Sequence, residues 1–529
     1  MGRLTLEKLT LRYVVVASLF LALAGIEGMM MRTRLLNIPF IDEHHYYAVM
    51  TVHPLVGTYG WAYMAVMGAF FFLVPTLLKR ELFSIKLASI NLWLQAAGVF
   101  IIWLSGFLFY YGSLYTIYWP LPVHFPEPGA LAFSLGLILT EISVLLFLFN
   151  IFATILRVSK PGLSTRSAVA AMLIASFGLS GLLKLIGGFV NRVKLGLGIG
   201  KPLLTDGRGE PEKLPVFVVA VFRGSIDAVI NAVVLAGAGA LIAGFMLYRM
   251  FVGPINPLVI DPLIYKNIYW WGLDMIADGD VLIWTAGTLY LLAPLLANRK
   301  LYAEEVVRYI ILADLIVSMG VWSHHLLSDR PQPWFLRLFS GQFITWGEGF
   351  TMGLTFFTAL MTLWLARPLK LTLPIKFMLG GIVGFLLGGM AGLIQANYGL
   401  NVIIHNTQWV PGFHFHETLL TGLSSILFAA IYALTPMLAN VELDEKLGNI
   451  HFWLWVVGGI GMSLSMGLAW REGMLRRTLY FTDKYLPYMA GAWFFGALMA
   501  LGFLAFLLNV VKTFGLRNVV GLFLPEREG

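Results

Sequence analysis

The stretch Val410-Pro411-Gly412-Phe413-His414-Phe415-His416-Glu417-Thr418-Leu419-Leu420-Thr421-Gly422-Leu423-Ser424-Ser425-Ile426-Leu427-Phe428-Ala429-Ala430-Ile431-Tyr432-Ala433-Leu434 decides the fold. A helix needs about 20 mostly apolar residues to cross a hydrocarbon layer roughly 30 Å thick, and this run, extending over 411–438, supplies them. Near one end it holds two imidazoles, which are costly in lipid and so are functional or paired as a rule. Eleven further apolar runs are spaced along the chain, near 13–31, 48–78, 84–111, 130–157, 217–248, 266–296, 305–327, 343–366, 374–398, 451–469 and 486–512. The expected fold is therefore all-α: a polytopic transmembrane bundle of about 12 helices in a single domain spanning 1–529.

Composition agrees. Of 529 residues, 59% are hydrophobic and 12% charged, with mean hydropathy +0.81, more apolar surface than a soluble domain can hide. Lipid is the solvent. There is no cysteine, which removes disulfides, iron–sulfur clusters, CxxCH haem attachment and thiolate copper centres. Electrons, if used, arrive from another protein or a lipid-soluble donor. The net charge of +8 sits in short loops between spans, so it reports topology rather than nucleic-acid binding, which we expect to be absent.

With a cytoplasmic N-terminus, the inner loops hold Lys79-Arg80, Arg157 to Arg166, Arg299-Lys300, Arg367 to Lys376 and the Lys512 to Arg527 tail, all basic. Met1 to Arg12 is charged and lacks a small-residue cleavage site, so it reads as a cytoplasmic tail. Both termini are expected in the cytoplasm, and the location is the plasma membrane of a prokaryote. A thirteenth apolar stretch, about 168–190, is Gly- and Ser-rich and carries Lys184. A single extra crossing there would invert everything after it, so it is expected not to cross alone. On this topology His53 opens the second span, His324 and His325 close the seventh, and His414 and His416 open the tenth. All five lie near the outer face.

Residues two apart on a helix point in nearly opposite directions, so His414 and His416 can each ligate a haem on one side of their helix. His53 can add a second axial ligand to one of these, giving a low-spin bis-His centre, while the other haem stays high-spin and open. His324 and His325 then offer two imidazoles to a further metal. Each has a bland reading. A lone membrane histidine is usually a hydrogen-bonded packing residue, and a His-His pair at a helix end is often a polar cap. The common depth of three separate segments favours the metal reading.

The string His405 to His416 resembles the tenth-helix signature of the haem–copper oxidase superfamily catalytic subunit (the cytochrome c oxidase subunit I type), with one extra residue, Phe413. Asp261-Pro262-Leu263-Ile264-Tyr265 through Trp270-Trp271-Gly272, the Ser323-His324-His325 pair and Gly473-Met474-Leu475-Arg476-Arg477 resemble further elements of it, so that the likeness covers nearly the whole chain. The resemblance implies that His53 and His416 hold the low-spin haem, His414 the high-spin haem, expected to be b-type, and His324 and His325 the second metal. It implies propionate contacts for Arg476 and Arg477, with His405 beside them.

Two departures bear on the reaction. Oxygen-reducing members carry a third histidine on helix six, followed in many by a tyrosine four residues later; here those positions read Asp274 and Asp278. No tyrosine lies between Tyr309 and Tyr398 to supply the phenol from helices seven or eight. The nitric oxide reductases of the superfamily place a glutamate in a Trp-Trp-x-x-His-x-x-x-Glu-Gly frame, which Trp270 to Gly279 matches except for Asp274 and Asp278. Residues four apart share a helix face, so both aspartates can reach one metal. His324, His325 and Asp274 form a two-histidine, one-carboxylate set that favours iron over copper, with Asp278 and Asp274 as the expected catalytic residues. Asp280 and Asp278 otherwise read as solvated acids in a widened cavity, Glu141 as a proton-route acid or an interhelical hydrogen bond, and Glu348 as an acid near the outer face.

The resulting expectation is an oxidoreductase, a respiratory subunit reducing nitric oxide to nitrous oxide. The alternative is a terminal reductase of O2 to water. Either takes electrons from quinol or cytochrome c, directly or through a small accessory subunit. A many-helix transporter fits the same composition but would be colourless.

Overall fold

The computed structural model describes residues 5–156, 214–322, 324–328 and 332–524. The 168–190 stretch, Ser323 and the Arg157 to Arg166 loop fall outside them. Each of the twelve expected spans has its helix: α1 Leu6–Leu35, α2 Glu43–Leu77, α3 Ile85–Phe109, α4 Glu127–Leu156, α5 Val216–Phe251, α6 Pro262–Ala297, α7 Glu304–Met319, α8 Ile344–Trp364, α9 Leu373–Gln395, α10 Val410–Ala439, α11 Glu445–Leu468 and α12 Leu486–Phe514. Ten are long and apolar enough to cross a membrane on their own. Among the described residues no strand forms, only an isolated antiparallel bridge between Thr407 and Leu475.

Helix starts follow local chemistry. The side chains of Thr5, Asp42, Ser84, Asp261 and Asp444 each accept a first-turn backbone N–H, satisfying donors that the helix itself leaves orphaned. Asp444 also accepts from Lys512 Nζ at 2.5 Å, tying the start of α11 to the end of α12. That ammonium, with the backbone N–H of Leu447, holds the Asp444 carboxyl below its usual value.

Neighbouring helices pack through positions that lack side chains. A Cβ on Gly412 would lie 2.3 Å from the backbone N of Gly467, so α10 and α11 touch main chain to main chain. A Cβ on Gly98 would lie 2.9 Å from the Gly136 carbonyl oxygen at the crossing of α3 and α4. Small residues at crossings are how helices gain packing in lipid, where no hydrophobic drive pushes them together.

Two features depart from simple apolar periodicity. The seventh span was expected to run through 327, but α7 ends at Met319, and His324 and His325 sit on the short 3-10 turn His324–Leu326 beyond it. Gly320 is the reason: it is a poor helix former, and a Cβ there would strike the Ile344 side chain at 2.6 Å where α8 begins. The second is four π-helical segments, Val56–Tyr63, Met275–Asp280, Arg337–Phe343 and Val410–Ser424. Each lies within or leads into a helix that serves the site described next, as such insertions commonly do.

Candidate haem and metal centre

A cavity of about 900 Å³ opens between α1, α2, α6, α8, α9 and α10, and His53, His324, His325, His414 and His416 all line it. The five imidazoles share one arrangement. His53 Nδ1 lies 3.0 Å from the Ala24 carbonyl oxygen, His414 Nδ1 2.8 Å from that of Gly388 and His416 Nδ1 2.5 Å from that of Pro411. A carbonyl only accepts, so each Nδ1 carries the proton and each Nε2 keeps a free lone pair. His325 Nδ1 donates to Asp274 at 2.5 Å. Thr345 spends its hydroxyl hydrogen on the Gly341 carbonyl at 2.6 Å, so His324 Nδ1 donates to the Thr345 oxygen, also at 2.6 Å. Fixing a ring by its Nδ1–H is the arrangement that prepares Nε2 for a metal.

The pairs also fit in space. The His53 and His416 rings face each other with centroids 6.3 Å apart and planes 22° apart. That gap accommodates a metal atom bonded to both rings at about 2 Å each. His414 projects from the same helix away from that pair, and Gly392 makes room for it, since a Cβ there would lie 2.7 Å from the ring. The expected divergence of His414 and His416 holds, although the helix carrying them is π-helical.

The second group is Asp278, His324 and His325, whose ligand atoms all lie within 4.8 Å of one another. Asp274 was expected among the ligands. The structure puts it behind His325, on Nδ1, while Asp278 approaches His324 Nε2 at 3.8 Å. The two aspartates thus occupy different stations. Asp280 is fully buried and accepts from Tyr63 at 2.8 Å and Asn231 at 2.7 Å, so the alternative of a solvated acid does not hold for it. Glu141 accepts the Tyr59 hydroxyl, an interhelical bond. Glu348 is buried beside His324, 4.0 Å from Nδ1.

At one end of the cavity the segment 473–477 is strapped to 406–408: Gln408 N donates to Met474 O, and Arg476 N to Asn406 O, both at 2.9 Å. The strap brings Arg476 and Arg477 to the cavity wall. Arg476 donates to His405 Nε2 at 2.9 Å. Burial, and then the guanidinium of Arg476, push the His405 imidazole well below its usual value, so it stays a neutral acceptor. Arg477 lies over the Tyr115 ring and donates to its hydroxyl at 3.2 Å.

Sequence reasoning missed three contributors. Thr345 fixes His324. Trp270 stacks on His325, centroids 4.8 Å apart, and donates to the Tyr118 hydroxyl at 2.8 Å. Arg223, Asp227 and Asp314 form a buried ion cluster behind the metal group, and only the charged pair in the run Val221-Phe222-Arg223-Gly224-Ser225-Ile226-Asp227 signalled it.

Comparison with known proteins decides the family. The model for "Cytochrome C and Quinol oxidase polypeptide I" matches residues 8–205 and 181–502. The chain belongs to this family. As a polypeptide I member it is an oxidoreductase subunit of the haem–copper oxidase superfamily, as the tenth-helix string implied. It is 24% identical to the cytochrome c oxidase subunit 1 of Thermostichus vulcanus over 97% of this chain and 84% of that protein. It is 25% identical to a probable quinol oxidase subunit 1 of Staphylococcus haemolyticus over 96% of this chain and 70% of that one. Its fold matches a solved heme-copper terminal oxidase dimer with TM-score 0.74 at 20% identity, covering 100% of this chain and 86% of that one. These relatives are named as oxidases, and none of the matches described here is named a nitric oxide reductase.

Proposed function

We propose that the chain is the catalytic subunit of a respiratory terminal oxidase that reduces O2 to water, taking electrons from cytochrome c or quinol in a prokaryotic membrane. The observation that carries it is the common tautomer of five histidines: every Nδ1–H is engaged from behind and every Nε2 is free, in one cavity. The names of the relatives support O2 over the nitric oxide first expected from the sequence.

When bound, two haems and a second metal supply electron storage and open positions for a diatomic gas. The chain's residues do the rest. His53 and His416 would hold one haem, His414 would hold the other, and His324, His325 and Asp278 would hold the second metal. Asp274 orients His325, Thr345 orients His324, and Arg476 and Arg477 would pair with haem propionates. Holding a gas molecule between two reducing centres makes its reduction effectively intramolecular. Four electrons and four protons are needed per O2.

One observation favours a second reading. Asp278 puts a carboxylate where many oxygen-reducing members carry the tyrosine, which suits iron better than copper and leaves that position without a phenol. Nitric oxide reduction, which joins two NO with two electrons and two protons to give N2O and water, needs no such phenol. One preparation separates the readings. Stoichiometric copper with fast O2 uptake and no N2O establishes the oxidase; iron with N2O formation and slow O2 uptake establishes the reductase. A colourless protein would overturn both.

A further inference from the structure

Arg223 is fully buried eight residues into α5, among apolar residues facing the bundle interior. Its Nη1 donates to the Asp227 carboxylate and, at 3.1 Å, to the carbonyl of Gly279. Its Nη2 donates to the Asp314 carbonyl at 2.8 Å and lies 2.9 Å from the Asp314 carboxylate. Gly279 sits in the π-helical turn Met275–Asp280, immediately after Asp278. Where a helix passes from α to π and back, its backbone ladder is interrupted, and carbonyls there turn to other donors.

Gly279 reports the same contact independently. A Cβ on it would lie 2.7 Å from the Asp227 carboxylate and 2.9 Å from its Cγ. The Arg223–Asp227 pair is therefore wedged directly against the turn, and only a residue with no side chain admits it. The cluster also reaches sideways: Ser318 of α7 donates to Asp227 at 3.2 Å, and Thr351 of α8 donates to Asp314 at 2.9 Å. One guanidinium thus joins α5 to the turn bearing Asp278, to the helix leading into His324 and His325, and to the helix bearing Thr345.

We infer that Arg223, held by Asp227 and Asp314, is a positioning residue for the second metal: it clamps the Gly279 carbonyl and so aims Asp278 at the group formed with His324 and His325. The inference rests on reading those three residues as metal ligands. A charge-assisted bond to a carbonyl of the π-helical turn makes the turn a fixed mount rather than a hinge. Lys cannot replace Arg here, because a point ammonium cannot bridge Gly279 and Asp314 at once.

The test uses the whole chain purified with its haems, stripped of loosely held metal by chelator and titrated back with ferrous iron and, separately, cuprous copper. The variants are R223Q, R223K and G279A, with R249Q as the control, since Arg249 pairs with Glu127 at the far end of α5. The expected result is a second-metal affinity about 10- to 100-fold weaker in R223Q and R223K, while the bis-histidine haem bands and haem per chain stay at wild-type values. G279A should show the same selective loss with Arg223 intact, because its methyl displaces Asp227. R249Q should bind metal as wild type does. Wild-type affinity in R223Q and G279A would overturn the inference. So would parallel loss of haem and metal, which marks a cluster that only holds the bundle together. A wild-type protein that takes up no second metal would overturn the ligand reading, and the clamp with it.

Discussion

Asp274 and Asp278 lie one turn apart and both approach His325 Nδ1, Asp274 at 2.5 Å and Asp278 at 3.9 Å, whereas Asp278 also lies 3.8 Å from His324 Nε2. Asp278 faces two imidazoles in the cavity, whereas Asp274 accepts a hydrogen from the back of one of them. Substituting them should separate the roles. D278A should abolish second-metal binding and gas turnover with both haems retained. D274N keeps the shape but turns a carboxylate acceptor into an amide, and should weaken metal binding about 10- to 100-fold without abolishing it. Metal-to-haem ratios measured on both variants check this; equal losses would mean that both aspartates ligate. The sequence placed all five histidines and both arginines in one site, because residues of that cost inside a membrane are rarely idle. It did not distinguish the aspartates. That distinction depends on where the His325 ring turns, which no spacing on α6 encodes.

At the scale of elements, twelve apolar runs located twelve helices, since the thickness of lipid sets their length. The π-helical segments were not legible as such. Their one trace was Phe413, the extra residue in the tenth-helix string, which a 15-residue π segment absorbs. The end of α7 was also misjudged, because apolar residues continue past Gly320 while the helix does not. The glycine contacts give the sharpest element-scale expectation. G412A places a methyl against the main chain of Gly467 and should destabilise the protein by about 1–3 kcal/mol, visible as a lower Tm with a broadened His416-haem band. The cap of α11 gives a pH-dependent one. Asp444 has a lowered folded value, so its contribution is complete above the ordinary aspartate value of 3.8 and fades as pH falls through the folded value. The Tm gap between wild type and D444N should therefore be present at neutral pH and close in strong acid.

For the whole molecule, sidedness is the testable quantity. The basic inner loops imply that both termini share a face opposite the strap that carries Arg476 and Arg477. Reporter fusions at each end should both read cytoplasmic, and a cysteine introduced beside Glu472 should react with an impermeant reagent from outside. Opposite termini would mean an odd number of crossings and would move the 168–190 stretch into the bilayer. The likeness to oxidases over almost the full chain explains why the architecture was readable from the sequence while the substrate was not. The bundle is shared across a superfamily, and the reaction turns on a handful of polar atoms around one cavity.

The ion cluster behind that cavity also constrains how the protein is made. A charged residue in an isolated span costs up to about 2.5–3.5 kcal/mol to insert at its centre and less toward its ends, and α5 carries Arg223 and Asp227 together in its first third. Their pairing one turn apart softens the cost during synthesis, but the guanidinium still lacks Asp314 until α7 emerges from the ribosome roughly ninety residues later. For that interval α5 is incompletely satisfied in lipid. It must wait at the insertion machinery, or beside a chaperone, until α7 arrives, so the order of translation becomes part of the route by which the metal's mount is assembled.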